Sequence, residues 1–262
     1  MNCSQCDEKI PLGKAQCPSC KHWNNGKDTF TADIDESILL SEVKSAGDNR
    51  IKTGDWDYCW GGGLVRTSVT LLGGLPGAGK STMLLQLLAS VHAHLKESIN
   101  PDRESMYIAT EEALPEIKLR ADRLGINAPI RMIPAMSGVA NLGAILETRK
   151  PVCIILDSLQ GMIGVDERMG VELLTTIKKF SVTLEAPSIV ISHVNKQGDY
   201  AGLMTYQHAV DCLLTLSPDE ENGLRTLEVL KNRNGRAFIK SKFEMTENGL
   251  ILVLEDEDDE ER

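Results

Sequence analysis

Gly74-Leu75-Pro76-Gly77-Ala78-Gly79-Lys80-Ser81-Thr82 is the stretch that decides the fold of this 262-residue chain. It matches G-x-x-x-x-G-K-[ST]. The apolar run Ser68–Leu72 precedes it, and Met83-Leu-Leu-Gln-Leu-Leu88, which reads as a helix, follows it. Strand, glycine loop and helix is the context that makes this pattern a phosphate site rather than a chance turn. The glycines let backbone N–H groups curl around phosphates, and the helix N-terminus adds positive potential. Gly74, Pro76, Gly77, Ala78, Gly79, Lys80, Ser81 and Thr82 are therefore the candidate nucleotide-binding set. Lys80 reaches β- and γ-phosphates in such loops, and Ser81 holds Mg²⁺.

Working outward, residues 50–254 alternate apolar runs with amphipathic segments, which is the βαβ pattern of a parallel sheet flanked by helices. Strands are expected at Ser68–Leu72, Ser105–Ala109, Ile130–Ile133, Val152–Leu156, Ser188–Ser192 and Cys212–Leu216. Leu224–Leu230, Ala237–Phe243 and Leu250–Leu254 follow with no room for helices between them, so they predict an antiparallel extension of the sheet. Helices are expected over Lys80–Lys96, Leu114–Leu124, Leu142–Thr148 and Gly170–Leu184, with Gly125 capping the second.

Two further strands end in acids. Val152-Cys-Ile-Ile-Leu-Asp157 places a carboxylate at a strand tip, the arrangement that holds Mg²⁺ opposite a glycine loop. Met106-Tyr-Ile-Ala-Thr-Glu111-Glu112 offers a carboxylate to orient and polarise an attacking water. Glu111 is the better base candidate. Glu112 lies nearer the next helix, whose N-terminus also favours acids. His193 ends the Ser188–Ser192 strand. It is a candidate sensor of the γ-phosphate, with a satisfied structural histidine as the equal alternative. Lys231-Asn-Arg233-Asn-Gly235 sets two cations at a turn, either a solvated turn or a pair that reaches a nucleotide on a neighbouring subunit.

The N-terminal part has a different chemistry. Cys3-x2-Cys6 and Cys17-x2-Cys20 are separated by ten residues. Four thiolates in two C-x-x-C turns suit one tetrahedral, structural Zn²⁺. So short a segment cannot bury a core of its own, so the metal supplies its folding energy. The division expected is a zinc module at 1–27, a linker at 28–49, the α/β domain at 50–254 and an acidic tail at 255–262. That tail carries seven acids and one arginine and accounts for much of the net charge of −10. Such a balance argues against broad, nonspecific nucleic-acid binding but leaves local basic patches open. Neither a membrane span nor a signal peptide is legible, and seven cysteines suggest no secreted disulfide framework, so a cytoplasmic protein is expected.

In this order the pieces resemble the RadA/Sms family of bacterial DNA-repair ATPases, which has a RecA-like core. The resemblance runs through Cys17-Pro-Ser-Cys20-Lys-His-Trp23-Asn24, Arg50-Ile-Lys-Thr53-Gly54, Gly61-Gly-Gly-Leu64 and the glycine loop. It continues through Glu111-Glu112 with Ile117-Lys-Leu-Arg120-Ala121, Asp157-Ser158-Leu-Gln160, His193-Val-Asn-Lys196-Gln-Gly198 and Lys231-Asn-Arg233-Asn-Gly235. It implies a RecA-like P-loop ATPase that assembles as a ring, expected to be a hexamer, with ATP and Mg²⁺ between subunits. It also implies single-stranded or branched DNA as partner, branch migration as the task, and a recombinase or replicative helicase as a possible associate. By the same resemblance Glu111 activates water, Lys231 and Arg233 act across the subunit interface or near DNA, and Lys196 faces a central channel. Three departures are visible. Asn234 stands where the family has phenylalanine, the segment Asp55–Trp60 is about two residues shorter than the family spacing, and the sequence stops at the acidic tail without the family's Lon-protease-like domain, so ring stability is expected to suffer. A KaiC-like module that uses nucleotide to gate assembly, without moving DNA, is the competing expectation.

Overall fold

The computed structural model describes residues 3, 5–9, 17–22, 39–42, 49–95, 103–134, 139–162, 167–193, 201–219 and 222–253. The acidic tail, the loop at 194–198 with Lys196, and most of the 28–49 connection lie outside them. The chain divides into two compact units, Met1–Gly47 and Asp48–Arg262.

In the larger unit, strands β1 (Arg50–Ile51) and β2 (Leu64–Val65) form a small antiparallel pair around a 3-10 helix at Gly54–Trp60. The elements then follow as β3 (Val69–Gly74), α1 (Lys80–Leu95), β4 (Ser105–Ala109), α2 (Leu114–Arg123), β5 (Ile130–Pro134), α3 (Val139–Arg149) and β6 (Ile154–Asp157). After them come α4 (Glu167–Leu184), β7 (Ser188–His193), α5 (Ala201–Tyr206), β8 (Cys212–Pro218), β9 (Arg225–Asn232), β10 (Lys240–Thr246) and β11 (Gly249–Val253). Nine strands make one sheet in the order β11-β10-β9-β8-β3-β7-β6-β4-β5. The pairs from β8 to β5 are parallel, and β8 to β11 continue antiparallel. This is the RecA-like α/β fold expected from the sequence, antiparallel extension included.

The central strands are buried on both faces, so they read as continuous apolar runs. Alternation sorts their side chains. Leu72, Tyr107, Ile155, Ile191 and Leu214 pack towards α1, α2 and the antiparallel strands. Leu71, Met106, Ile108, Ile154, Leu156 and Val190 pack towards α3, α4 and α5. α2 ends as expected. Gly125 takes φ 65°, and Ile126 N–H returns to Ala121 O at 2.9 Å, closing the last turn in a left-handed cap.

Three details were not legible. The 3-10 helix at Gly54–Trp60 buries Trp56, Cys59 and Trp60, and Trp56 stacks on Phe243 with ring centroids 5.0 Å apart. The short helix α5 seats Leu203 against Gly73, where a β-carbon would stand 2.1 Å from Leu203 Cδ1. The strand expected at Ala237–Phe243 begins at Lys240. Val229 bonds both Phe238 N–H and Ile239 O, so two residues oppose one, and Phe238 sits at φ 60° in the resulting bulge.

Candidate functional site

The candidate cleft of about 450 Å³ lies at the C-terminal ends of the parallel strands and is lined by Lys80, Ser81, Thr82, Glu111, Asp157 and His193 among others. Sheet register explains the gathering. Gly74 pairs with His193 across β3 and β7, and Ala109 pairs with Asp157 across β4 and β6. Residues far apart in sequence thus reach one edge together, where parallel α/β sheets take their ligands.

The glycine loop is built for close approach. Gly79 has φ 103°, and a β-carbon there would stand 2.4 Å from Met245 Cε of β10. Gly74 has φ 148°, and a β-carbon there would stand 2.2 Å from Leu216 O of β8. At Gly74 a side chain would collide with the β8 backbone, and at Gly79 the left-handed φ itself disfavours any residue but glycine. Lys80 is buried, and its ammonium donates to Gly74 O at 2.8 Å and Leu75 O at 2.9 Å. Burial pushes its pKa down to about 8, against the opposing pull of Asp157 and Glu111. The loop carbonyls therefore hold the cation where an anionic phosphate group would draw it forward.

Asp157 is buried at the tip of β6, and Tyr107 O–H donates to its Oδ2 in a short hydrogen bond. Burial, then the Asp157 charge, pushes the Tyr107 phenol well above its ordinary pKa, so it remains a donor. The Asp157–Ser158 peptide is cis. Ser81 and Asp157 line the same cleft, and their oxygens fit a hard cation, which takes oxygen ligands.

Glu111 is held from two sides. Ser158 O–H donates to Oε1 at 2.5 Å, and His193 Nε2 lies 2.8 Å from Oε2. Burial alone would raise its pKa, but these hydrogen bonds, with the charges of His193 and Lys80, hold the carboxyl below the usual value. Gln160 ties the same corner together. Its Nε2 donates to Ser192 Oγ at 2.8 Å, and its Oε1 accepts from His193 N–H at 3.1 Å. His193 Nδ1 is buried with no partner among the described residues. Glu112 faces a different group: Arg120 of α2 grips both its oxygens at 2.7 Å. Both carboxylates line the cleft, Glu112 gripped by Arg120 and Glu111 held by Ser158 and His193.

Lys231 and Arg233 are not in this cleft. Lys231 pairs with Leu213, near the N-terminal end of β8, so it lies at the opposite edge of the sheet from the glycine loop. Its ammonium donates to Gln207 O and Val210 O, and Arg233 lies 3.7 Å from Asp211 Oδ1. Asn234, at the departure from the family motif, accepts from Arg50 through its backbone O at 2.6 Å. Sequence reasoning missed Tyr107 and Met245 as site residues, and it reaches Arg120, Ser158 and Gln160 only through the family resemblance. A second cleft, of about 390 Å³ between α2 and β5, is lined mainly by aliphatic groups. Its two charged residues, Lys118 and Asp122, pair with each other.

In the smaller unit Cys3, Cys6, Cys17 and Cys20 bring their sulfurs within 4.8 Å of one another. Cys3 and Cys20 are 3.5 Å apart, and Cys6 and Cys17 are 3.6 Å apart. Sulfurs about 2.3 Å from a shared tetrahedral ion stand at such separations. The two turns are near copies. Cys3 N–H bonds Glu8 O and Cys17 N–H bonds His22 O, while Asp7 and Lys21 both adopt φ near 60°. All four sulfurs could hold one metal ion.

A glycine-loop cation, a strand-tip carboxylate and a held glutamate on a RecA-like sheet define a P-loop ATPase. The chain belongs to the AAA domain family, whose model matches residues 40–199. It is similar to curated proteins named DNA repair protein RadA. Against that of Bacillus subtilis it is 30% identical over 276 residues, which cover 96% of this chain and 59% of the relative. Against that of Escherichia coli it is 29% identical over 278 residues, with 96% and 59% covered. The family resemblance read from the motifs is thereby borne out, and the chain spans about three fifths of the length of these relatives. A crystal structure of a KaiC-like protein from Pyrococcus horikoshii shares the fold, with a TM-score of 0.63, 19% identity, and coverage of 78% of this chain and 99% of that one. No helix among the described residues is long and apolar enough to cross a membrane.

Proposed function

We propose that this chain is a DNA-repair ATPase that hydrolyses ATP at subunit interfaces of a ring and acts on single-stranded or branched DNA. The observation that carries the reading is the pairing of Glu111 with Ser158 and His193 beside the Lys80 loop. In it the loop Gly74–Thr82 cradles ATP, Ser81 and Asp157 hold Mg²⁺, and Glu111 orients water for attack on the γ-phosphate. His193 touches Glu111 through one ring nitrogen and hydrogen-bonds through its backbone to Gln160, so it can pass the state of the nucleotide into the loop that follows. Glu112 supports the site through Arg120 rather than by touching water.

Lys231 and Arg233 lie too far from their own cleft to serve it. Their place at the opposite edge suits a role towards a neighbouring subunit's nucleotide, and a hexamer is the assembly that the family resemblance implies. Zn²⁺ is the ion that best matches four cysteine sulfurs in two C-x-x-C turns. In this reading residues 1–27 are the zinc module and 50–254 the ATPase domain. The names of the RadA relatives support the DNA-repair role.

ATP hydrolysis and particle mass, each measured with and without single-stranded DNA, test the reading. DNA-stimulated turnover by a ring-sized particle, abolished by Lys80→Ala, is the expected outcome. Turnover indifferent to DNA, with no DNA bound in the presence of a non-hydrolysable ATP analogue, would replace the motor by a nucleotide-gated assembly module.

A further inference from the structure

Tyr107 has a hydroxyl that the chemistry above does not use. Its side chain is fully buried in the middle of β4, on the face that packs towards α1. Phenylalanine would fill the same space without the cost of burying a polar group, so the phenol needs a purpose as well as a partner. Its O–H donates to Asp157 Oδ2. Asp157 is one of the two residues assigned to the divalent cation.

We propose that Tyr107 is a positioning residue for the cation site, orienting the carboxylate of Asp157 through its hydroxyl. The inference rests on the reading of the cleft as a Mg²⁺–nucleotide site. A hydroxyl carries one proton and two lone pairs. The Tyr107 proton is spent on Asp157 Oδ2, which fixes the carboxylate and would leave its Oδ1 for the cation or its water. Removing the phenol oxygen frees the Asp157 carboxylate to rotate and strands a buried charged oxygen.

The test is binding of a fluorescent ATP analogue to the full chain as free Mg²⁺ is titrated. Wild type is compared with Tyr107→Phe, Asp157→Asn and the double variant. The ring of Tyr107→Phe keeps the packing, and binding of the analogue in EDTA checks that the cleft is intact. Tyr107→Phe is expected to raise the Mg²⁺ concentration for half-saturation about tenfold, the worth of one hydrogen bond to a charged group. EDTA binding should be unchanged, and the double variant should need no more Mg²⁺ than Asp157→Asn alone, because the two act as one unit. A Mg²⁺ requirement unchanged by Tyr107→Phe would overturn the proposal, as would equal losses with and without Mg²⁺. Wild-type binding that ignores Mg²⁺ would instead sink the cation-site reading beneath it.

Discussion

The two candidate sites are built in opposite ways. The cysteine cluster is local: four sulfurs come from two short turns within residues 3–20, and each turn repeats the other's hydrogen bonds. Among the described residues its buried apolar cluster is Cys3 and Cys17 alone. The nucleotide cleft is nonlocal. Gly74, Tyr107, Glu111, Asp157 and His193 meet only because four strands stack in register above large apolar layers. A site with no core beneath it depends on its ligand for its fold, whereas a site at the end of a buried sheet exists before the ligand arrives.

That contrast can be broken or sharpened experimentally. The largest effect is expected from Cys17→Ser. Structural zinc binding is worth roughly 10 kcal/mol or more in such small units. The variant should lose its zinc and the hydrogen-exchange protection of the two cysteine turns, residues 5–9 and 17–22, while the melting transition of Asp48–Arg262 stays in place. Zinc content equal to wild type would show that these sulfurs are not the ligands. A loss of the main melting transition would show that the larger unit is not independent.

Next comes Glu111→Gln. Nucleotide binding should survive, because the backbone cradle and Lys80 are untouched, while single-turnover hydrolysis falls at least about a hundredfold. Undiminished hydrolysis would move the catalytic role elsewhere, with His193 the first candidate.

The smallest effect concerns Lys80 itself. Its folded pKa of about 8 lies below the ordinary value of 10.5. Below pH 8 the folded apoprotein carries the cost of a buried ammonium. Between pH 8 and 10.5 the folded chain sheds a proton that the unfolded chain keeps, so stability rises with pH through that window. Urea midpoints for wild type and Lys80→Met should therefore converge as pH rises from about 7.5 to 9.5. A constant gap would mean that the preformed cleft does not strain its cation.

Much of this was legible because the signals were local. The glycine loop needs positive φ and the absence of side chains, and its spelling shows both. Asp157 and Glu111 were found because apolar runs ending in acids mark strand tips. The antiparallel strands β9 to β11 were legible because no helix fits between them. Other features depend on partners distant in sequence. Sequence position favours Glu111 over Glu112 as the base, but the partner that occupies Glu112, Arg120 of α2, appears only in the fold. Tyr107 reads as one more apolar residue in β4 until Asp157 is placed beside it. The bulge at Phe238 breaks an expected strand through pairing with Val229, which periodicity does not record.

Sequence alone determined the phosphate loop, the cysteine spacing and the parallel α/β class, because each follows from backbone freedom, metal geometry or burial period within a short window. Tertiary structure alone decided that Arg120 grips Glu112 while Ser158 and His193 hold Glu111, which hydroxyl steadies Asp157, and that Lys231 and Arg233 lie at the far edge from Lys80. Those are matters of strand order and register, and register is set by packing of the whole sheet rather than by any one segment.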